Sequence, residues 1–253
     1  MGERLRQFLS ARANRHRERS RAIPGRKLKR HFLGFPRLRF AALGMTVFLA
    51  LAQTGHAAAR DTSGVKRVLV LGDSLSEGFR LNPRDAWPAL IAPRLRKIDP
   101  QFELVNASVS GSTTAGGLRR LPSYLNQPIT IFILELGIND AFRGYSVEDI
   151  RANLRAIIDK VRAKSPDAAV VIVGMQFPIE GAADDYVVAF GKMFSELAEQ
   201  NHAALVPYLL AGVGGDPALN LDDRIHPNAA GHKILAENVW RVLEPVAREV
   251  SGR

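Results

Sequence analysis

Between residues 66 and 242, five short aliphatic runs, at 68–71, 102–105, 129–134, 168–173 and 204–208, alternate with segments carrying apolar residues at helical spacing. Unbroken runs of β-branched and aliphatic residues, without an in-out alternation, describe strands covered on both faces. The helical segments fall near 87–97, 116–125, 146–161, 186–200 and 228–242. Within the third of these, Ser146 to Asp149 resembles a capping box, and Ile150, Leu154, Ile157, Ile158 and Val161 share one face. Strands and helices in alternation impose right-handed crossovers and a parallel sheet between two helical layers. The class is therefore α/β, and within it a flavodoxin-like three-layer α/β/α sandwich, with a five-stranded parallel sheet in the order 2-1-3-4-5, is an expectation that alternation alone does not fix.

In such a sheet every strand's carboxyl end points to one edge, and the polar residues of this chain gather there. The first run stops at Gly72-Asp73-Ser74-Leu75-Ser76-Glu77-Gly78-Phe79, the second at Asn106-Ala107-Ser108-Val109-Ser110-Gly111, the third at Leu136-Gly137-Ile138-Asn139-Asp140. The last loop carries Leu221-Asp222-Asp223-Arg224-Ile225-His226-Pro227-Asn228, with Asn228 placed to cap the final helix. A serine after a strand is more often a helix cap than a nucleophile, so Ser74 acquires meaning only from its partners. Serine attack needs a base, a group to orient that base, and donors for the developing oxyanion. Asp223 and His226 lie three residues apart and can meet within one turn. Glycine at 111 leaves its backbone N–H approachable, and Asn139 offers an uncharged donor.

These blocks resemble those of the GDSL, or SGNH, hydrolase family. Gly72-Asp73-Ser74-Leu75-Ser76-x-Gly78, Asn106-Ala107-Ser108-x-Ser110-Gly111, Gly137-Ile138-Asn139-Asp140 and Asp222-Asp223-x-Ile225-His226-Pro227-Asn228 resemble more narrowly its acyl-CoA thioesterase I/lysophospholipase L1/arylesterase subgroup. The resemblance spans about Lys66 to Val242. It implies an SGNH hydrolase fold and a serine esterase or thioesterase working through an acyl-enzyme. Ser74 would be nucleophile, His226 base and then acid, and Asp223 its orienter, with the Ser74 and Gly111 N–H groups and the Asn139 amide as oxyanion hole. The implied partner is a small-molecule acyl ester or thioester, a lysophospholipid among them, and no cofactor or metal is implied. Phe142, Tyr145, Phe177 and Ile179 are placed to wall an acyl site, although Ile179 to Ala183 departs from the loop usual in the subgroup.

Other readings of the same residues compete. Asp222, Asp223 and His226 could ligate a metal, but no second ligand-rich segment accompanies them. The same crevice could serve a carbohydrate or peptidoglycan O-acetyl esterase, or a domain that binds lipid without turning it over. Asp73 reads as support for the serine turn, Glu77 and Asp140 as members of loop networks, His202 as a helix-end residue, and His232 as a surface residue of the last helix.

The net charge of +10 suggests nucleic acid only until it is located. Residues 1–59 hold 13 Lys and Arg against Glu3 and Glu18, whereas residues 60–253 hold 22 basic and 23 acidic side chains. The hydrolase-like domain has no basic excess, so no nucleic-acid partner is expected. Its leader ends in an uncharged 13-residue stretch, Phe40 to Ala52, followed by Ala57-Ala58-Ala59. A basic region, a short apolar core and an A-x-A end describe a secretory signal peptide. The core falls short of the roughly 20 apolar residues a membrane helix needs. The expected division is a basic extension with signal peptide at 1–59 and the enzyme domain at 60–253, exported to the periplasm or beyond. An uncleaved anchor is the competing reading of the leader. Without cysteine the domain must be held by its core alone.

Overall fold

The computed structural model describes residues 64–176 and 183–252; the proposed leader lies outside them. Among the described residues there are five strands: β1 (Lys66–Leu71), β2 (Phe102–Asn106), β3 (Ile131–Leu134), β4 (Ala169–Val173) and β5 (Ala204–Val206). Seven α-helices connect or follow them: α1 (Ser74–Glu77), α2 (Trp87–Ile98), α3 (Thr114–Arg120), α4 (Ile138–Ala141), α5 (Val147–Lys164), α6 (Asp184–Gln200) and α7 (Ala229–Ser251). All strand pairs are parallel, in the order β2-β1-β3-β4-β5. Helices α2 and α7 pack together on one side of the sheet, and α3, α5 and α6 form a second layer. The expected three-layer α/β fold is the observed one.

The core explains the unbroken apolar runs. Val68 to Leu71, Ile131 to Leu134 and Val170 to Val173 are all buried, since helices cover both sheet faces. Complete burial of such a side chain contributes about 1.5–3 kcal/mol. Ser146 caps α5, its Oγ accepting from the Asp149 N–H, and Ile150, Leu154, Ile157, Ile158 and Val161 are the buried stripe. Among the described residues, no helix is long and apolar enough to cross a membrane.

Three elements differ from expectation. The final helix does not end near Val242 but runs through Pro245 to Ser251. An interior proline costs about 3 kcal/mol, yet Leu243, Ala247 and Val250 bury about two further turns of the inner face. The Lys66 ammonium also binds the terminal carbonyls of Val250 and Ser251. His232, expected at the surface, is 1% exposed. It continues the inner face of Leu235, Ala236 and Val239, and its Nδ1 accepts the Trp87 N–H at 3.1 Å. Finally, β5 stops at Val206, where Pro207 follows and the Val206 and Pro207 carbonyls crowd Gly174.

Candidate active site

The turn after β1 is built by Asp73, not by Ser74. Asp73 is the N-cap of α1, its Oδ1 accepting from the Leu75 N–H at 3.0 Å, which leaves the Ser74 hydroxyl uncommitted to the helix. Four residues later Gly78 ends the turn in the left-handed conformation, with φ of 83°. Ser74 itself is 8% exposed. Its Oγ lies 3.0 Å from His226 Nε2, and His226 Nδ1 lies 2.8 Å from Asp223 Oδ2.

Asp223 and His226 reach Ser74 on a closed loop. The Leu221 N–H donates to the His226 carbonyl and the Asn228 N–H to that of Leu219, while Asn220 and Pro227 form an antiparallel bridge. Asn228 then caps α7, accepting from the Ala230 and Gly231 N–H groups. Asp223 Oδ1 accepts from the Ile225 and His226 N–H groups while Oδ2 holds the imidazole. Burial pushes the Asp223 carboxyl up, but those N–H groups and the imidazole outweigh it and hold the pKa below the ordinary aspartate value. A carboxylate fixed in this way selects the tautomer with a proton on Nδ1 and leaves Nε2 to accept.

Gly111 lies on the loop after β2 and Asn139 on the short helix after β3. Gly111 has a φ of 73°, which favours glycine, and its carbonyl accepts from Arg143 at 3.0 Å. The N–H groups of Ser74 and Gly111 donate to no other described residue. Asn139 is carried by α4 behind Gly137, and its Nδ2 donates to Asp73 Oδ2 at 2.8 Å. The five residues expected at the sheet edge are thus held on the loops and short helices that follow β1, β2, β3 and β5. A serine hydroxyl beside an acceptor imidazole can form and cleave an acyl ester wherever uncharged donors receive the oxyanion.

The expected loop roles also hold. Glu77 accepts from the N–H and hydroxyl of Ser110, and Asp140 from the N–H and hydroxyl of Thr114. His202 is exposed just beyond α6. Of the expected acyl-wall residues, Phe142 packs against the core, and Tyr145 is 49% exposed with its carbonyl bound by the Tyr186 hydroxyl. Phe177 and Ile179 lie outside the described residues. Asp222, offered as a metal ligand, is exposed; among the described residues no group of three or more His, Cys, Asp or Glu is arranged to hold a metal.

Three neighbours of the site were missed from sequence. The Phe79 ring lies 4.4 Å from the His226 ring, centre to centre, and the Arg80 guanidinium lies over the Phe79 ring, 4.9 Å from its centre. Arg120 donates to the carbonyls of Ala107 and Gly72 and to Ser112 Oγ, tying the β1 and β2 loops together. Glu135, only 2% exposed, sits directly behind Asp73. Phe79 closes the Gly-Asp-Ser block and could have been suspected; a glutamate after the aliphatic run 131–134 gave a weaker sign.

The chain resembles known proteins over most of its length. The GDSL-like lipase/acylhydrolase family matches residues 70–234. Esterase TesA of Pseudomonas aeruginosa is 38% identical over 206 residues, which cover 81% of this chain and 98% of that protein. Thioesterase 1/protease 1/lysophospholipase L1 of Escherichia coli is 34% identical, covering 81% of this chain and 93% of that protein. Among solved structures, the crystal structure of TesA superposes with a TM-score of 0.67 at 38% identity, covering 72% of this chain and 99% of that one. A psychrotrophic esterase, EstA from Pseudoalteromonas, gives 0.65 at 28% identity, covering 71% and 97%.

Proposed function

Because the chain belongs to the GDSL-like lipase/acylhydrolase family, and is an SGNH serine esterase/thioesterase, we propose that Ser74, His226 and Asp223 perform its hydrolysis. The observation that carries this reading is the unbroken line from Ser74 Oγ to His226 Nε2 at 3.0 Å and from His226 Nδ1 to Asp223 Oδ2 at 2.8 Å. His226 accepts the hydroxyl proton as Ser74 Oγ bonds to the acyl carbon, and Asp223 stabilises the imidazolium. The oxyanion is received by the Ser74 and Gly111 N–H groups and by the Asn139 amide, a single such donor contributing about 3–4 kcal/mol. Collapse breaks the bond to the alcohol or thiol, which leaves with the proton from His226. Water, deprotonated by the same imidazole, then releases the acid and restores Ser74.

Acyl chains of medium or greater length fit this reading, lysophospholipids included, with Phe142, Tyr145, Phe177 and Ile179 as their wall. Phe142 and Tyr145 follow α4 directly, which supports a place for them beside Asn139. The leader supports export, with cleavage after Ala57 or Ala59 giving a periplasmic or secreted enzyme of residues 58–253 or 60–253. The mass of the protein recovered from the cell envelope reads the cleavage point directly.

Hydrolysis of p-nitrophenyl esters from acetate to palmitate by the full-length protein, with Ser74→Ala as control, tests the assignment. Activity that peaks beyond acetate and vanishes in Ser74→Ala is expected. Activity confined to acetate would overturn the acyl-chain reading in favour of an O-acetyl esterase, and activity surviving Ser74→Ala would overturn the nucleophile.

A further inference from the structure

Behind the nucleophile, two acidic side chains are buried against each other. Asp73 is 0% exposed and Glu135 2%. Glu135 Oε2 accepts the Asp73 N–H at 3.1 Å and the Ser76 hydroxyl at 2.7 Å. Asp73 accepts from Leu75 on one oxygen and from Asn139 on the other. The Asp73 N–H bond to Glu135 joins the two acids across 62 residues of sequence. The arrangement explains Gly72, because a Cβ there would stand 2.7 Å from Glu135 Oε2 and from both Cβ and Oγ of Ser76.

Two carboxylates in contact and out of water cannot both stay ionised. The charged groups facing the pair are Arg120 from α3 and Asp140 from α4, while α1 offers the Ser76 hydroxyl. With the one cation offset by a further acid, nothing nearby supports two negative charges on the pair. Asp73 is the better place for a single charge, since each of its oxygens receives an N–H. Both donors to Glu135 fall on Oε2, which leaves Oε1 free to carry a proton. Burial pushes both groups up, Asp73 to about 6, and Glu135 well above the ordinary glutamate value with the Asp73 charge adding to the effect.

We propose that Glu135 and Asp73 form one positioning unit, a protonated Glu135 holding an ionised Asp73, which fixes one N–H of the Asn139 amide and aims the other at the oxyanion. The inference rests on Asn139 being an oxyanion donor, as proposed above. Neither acid touches substrate. Their effect is on the orientation of the Asn139 amide and on the Ser74 turn that Asp73 caps.

The test is kcat and KM against pH for a p-nitrophenyl ester of the full-length protein. Active sites are counted by stoichiometric release of p-nitrophenol from a p-nitrophenyl phosphonate, so that unfolded protein does not lower kcat. Asp73→Asn is expected to lower kcat about 10- to 100-fold with KM within about twofold, part of the value of a complete oxyanion donor. Its single acceptor oxygen cannot serve both Leu75 and Asn139 without turning its amide N–H₂ toward a donor. Glu135→Ala should also lower kcat, and Glu135→Gln should restore most of the loss. Glutamine keeps an oxygen for Asp73 N–H and Ser76 and supplies a permanent N–H to Asp73. The wild-type kcat should fall on the alkaline side as the pair loses its proton, a limb absent from Glu135→Gln. A Glu135→Gln enzyme no better than Glu135→Ala, or an Asp73→Asn effect confined to KM, overturns the proposal. If Ser74→Ala stays active, the nucleophile assignment has failed first and the proposal falls with it.

Discussion

Lowering the pH from 7 to 4 should cost this protein stability through one residue outside the catalytic loop, His232. The imidazole is buried beneath α2, and its Nδ1 must be unprotonated to accept the Trp87 N–H. Burial, reinforced by the His226 side chain and opposed by Asp85, lowers its pKa from 6.5 to about 4. Between those values the unfolded chain takes up a proton that the folded chain refuses. The stabilisation is therefore complete above pH 6.5 and is lost as pH falls toward 4. At 1.36 kcal/mol for each tenfold change in the constant, the loss is about 3 kcal/mol. Asp73 and Glu135 work in the opposite direction: with folded values raised, their contribution is complete below the unfolded carboxyl range and lost as pH rises. A pH titration of wild type alone would mix the two. His232→Asn removes the titration and keeps an acceptor near the position of Nδ1, so urea unfolding of both proteins from pH 4 to 8 separates them. The stability difference between wild type and His232→Asn should shift by about 3 kcal/mol against wild type on going from pH 7 to 4. A difference that stays constant across that range would refute the reasoning.

Gly231→Ala drives a Cβ into the Leu219 carbonyl and to 2.8 Å from Pro227 Cβ. It should destabilise the protein by about 1–3 kcal/mol and, by displacing the loop that carries Asp223 and His226, lower kcat more than KM in a steady-state ester assay. Asn139→Ala is expected to cost about 10²–10³ in kcat, and Asp223→Asn up to about 10⁴, through the wrong histidine tautomer. Comparable kcat for Asn139→Ala and wild type would remove the asparagine from the oxyanion pocket. Gly72→Ala, whose Cβ meets Glu135 and Ser76, should lower the thermal midpoint and kcat together.

What could be read from the sequence depended on whether a residue's setting is local. The strands declared themselves because helices cover both sheet faces, and the Ser146 cap because its donor lies three residues on. The Asp223 and His226 pairing was legible for the same reason, being closed within one loop. His232 is buried rather than at the surface: it shares a face with Leu235, Ala236 and Val239, and its partner Trp87 lies 145 residues away in sequence. The helix beyond Val242 holds because Leu243, Ala247 and Val250 are buried by distant elements, which offsets the local penalty of Pro245. Glu135 left only a faint trace for a different reason. Its partners Asp73 and Ser76 are 62 and 59 residues away, and no periodicity announces a buried acid.

The Lys66 side chain spans from the start of β1 to the last turn of α7, so the two ends of the described domain lie within one lysine of each other. They meet at the amino end of β1, whereas Ser74 and its partners stand beyond the carboxyl ends of the strands. A short glycine-serine bridge could join them, and the exposed residues Asn126, Gln127 and Pro128 offer a place to open new ends. In such a circular permutant Asp223 and His226 would be synthesised before Ser74. The linear order of the blocks, by which the chain is recognised, would be gone, while every loop kept its place around the crevice. That order records descent; the chemistry asks only that the loops share an edge.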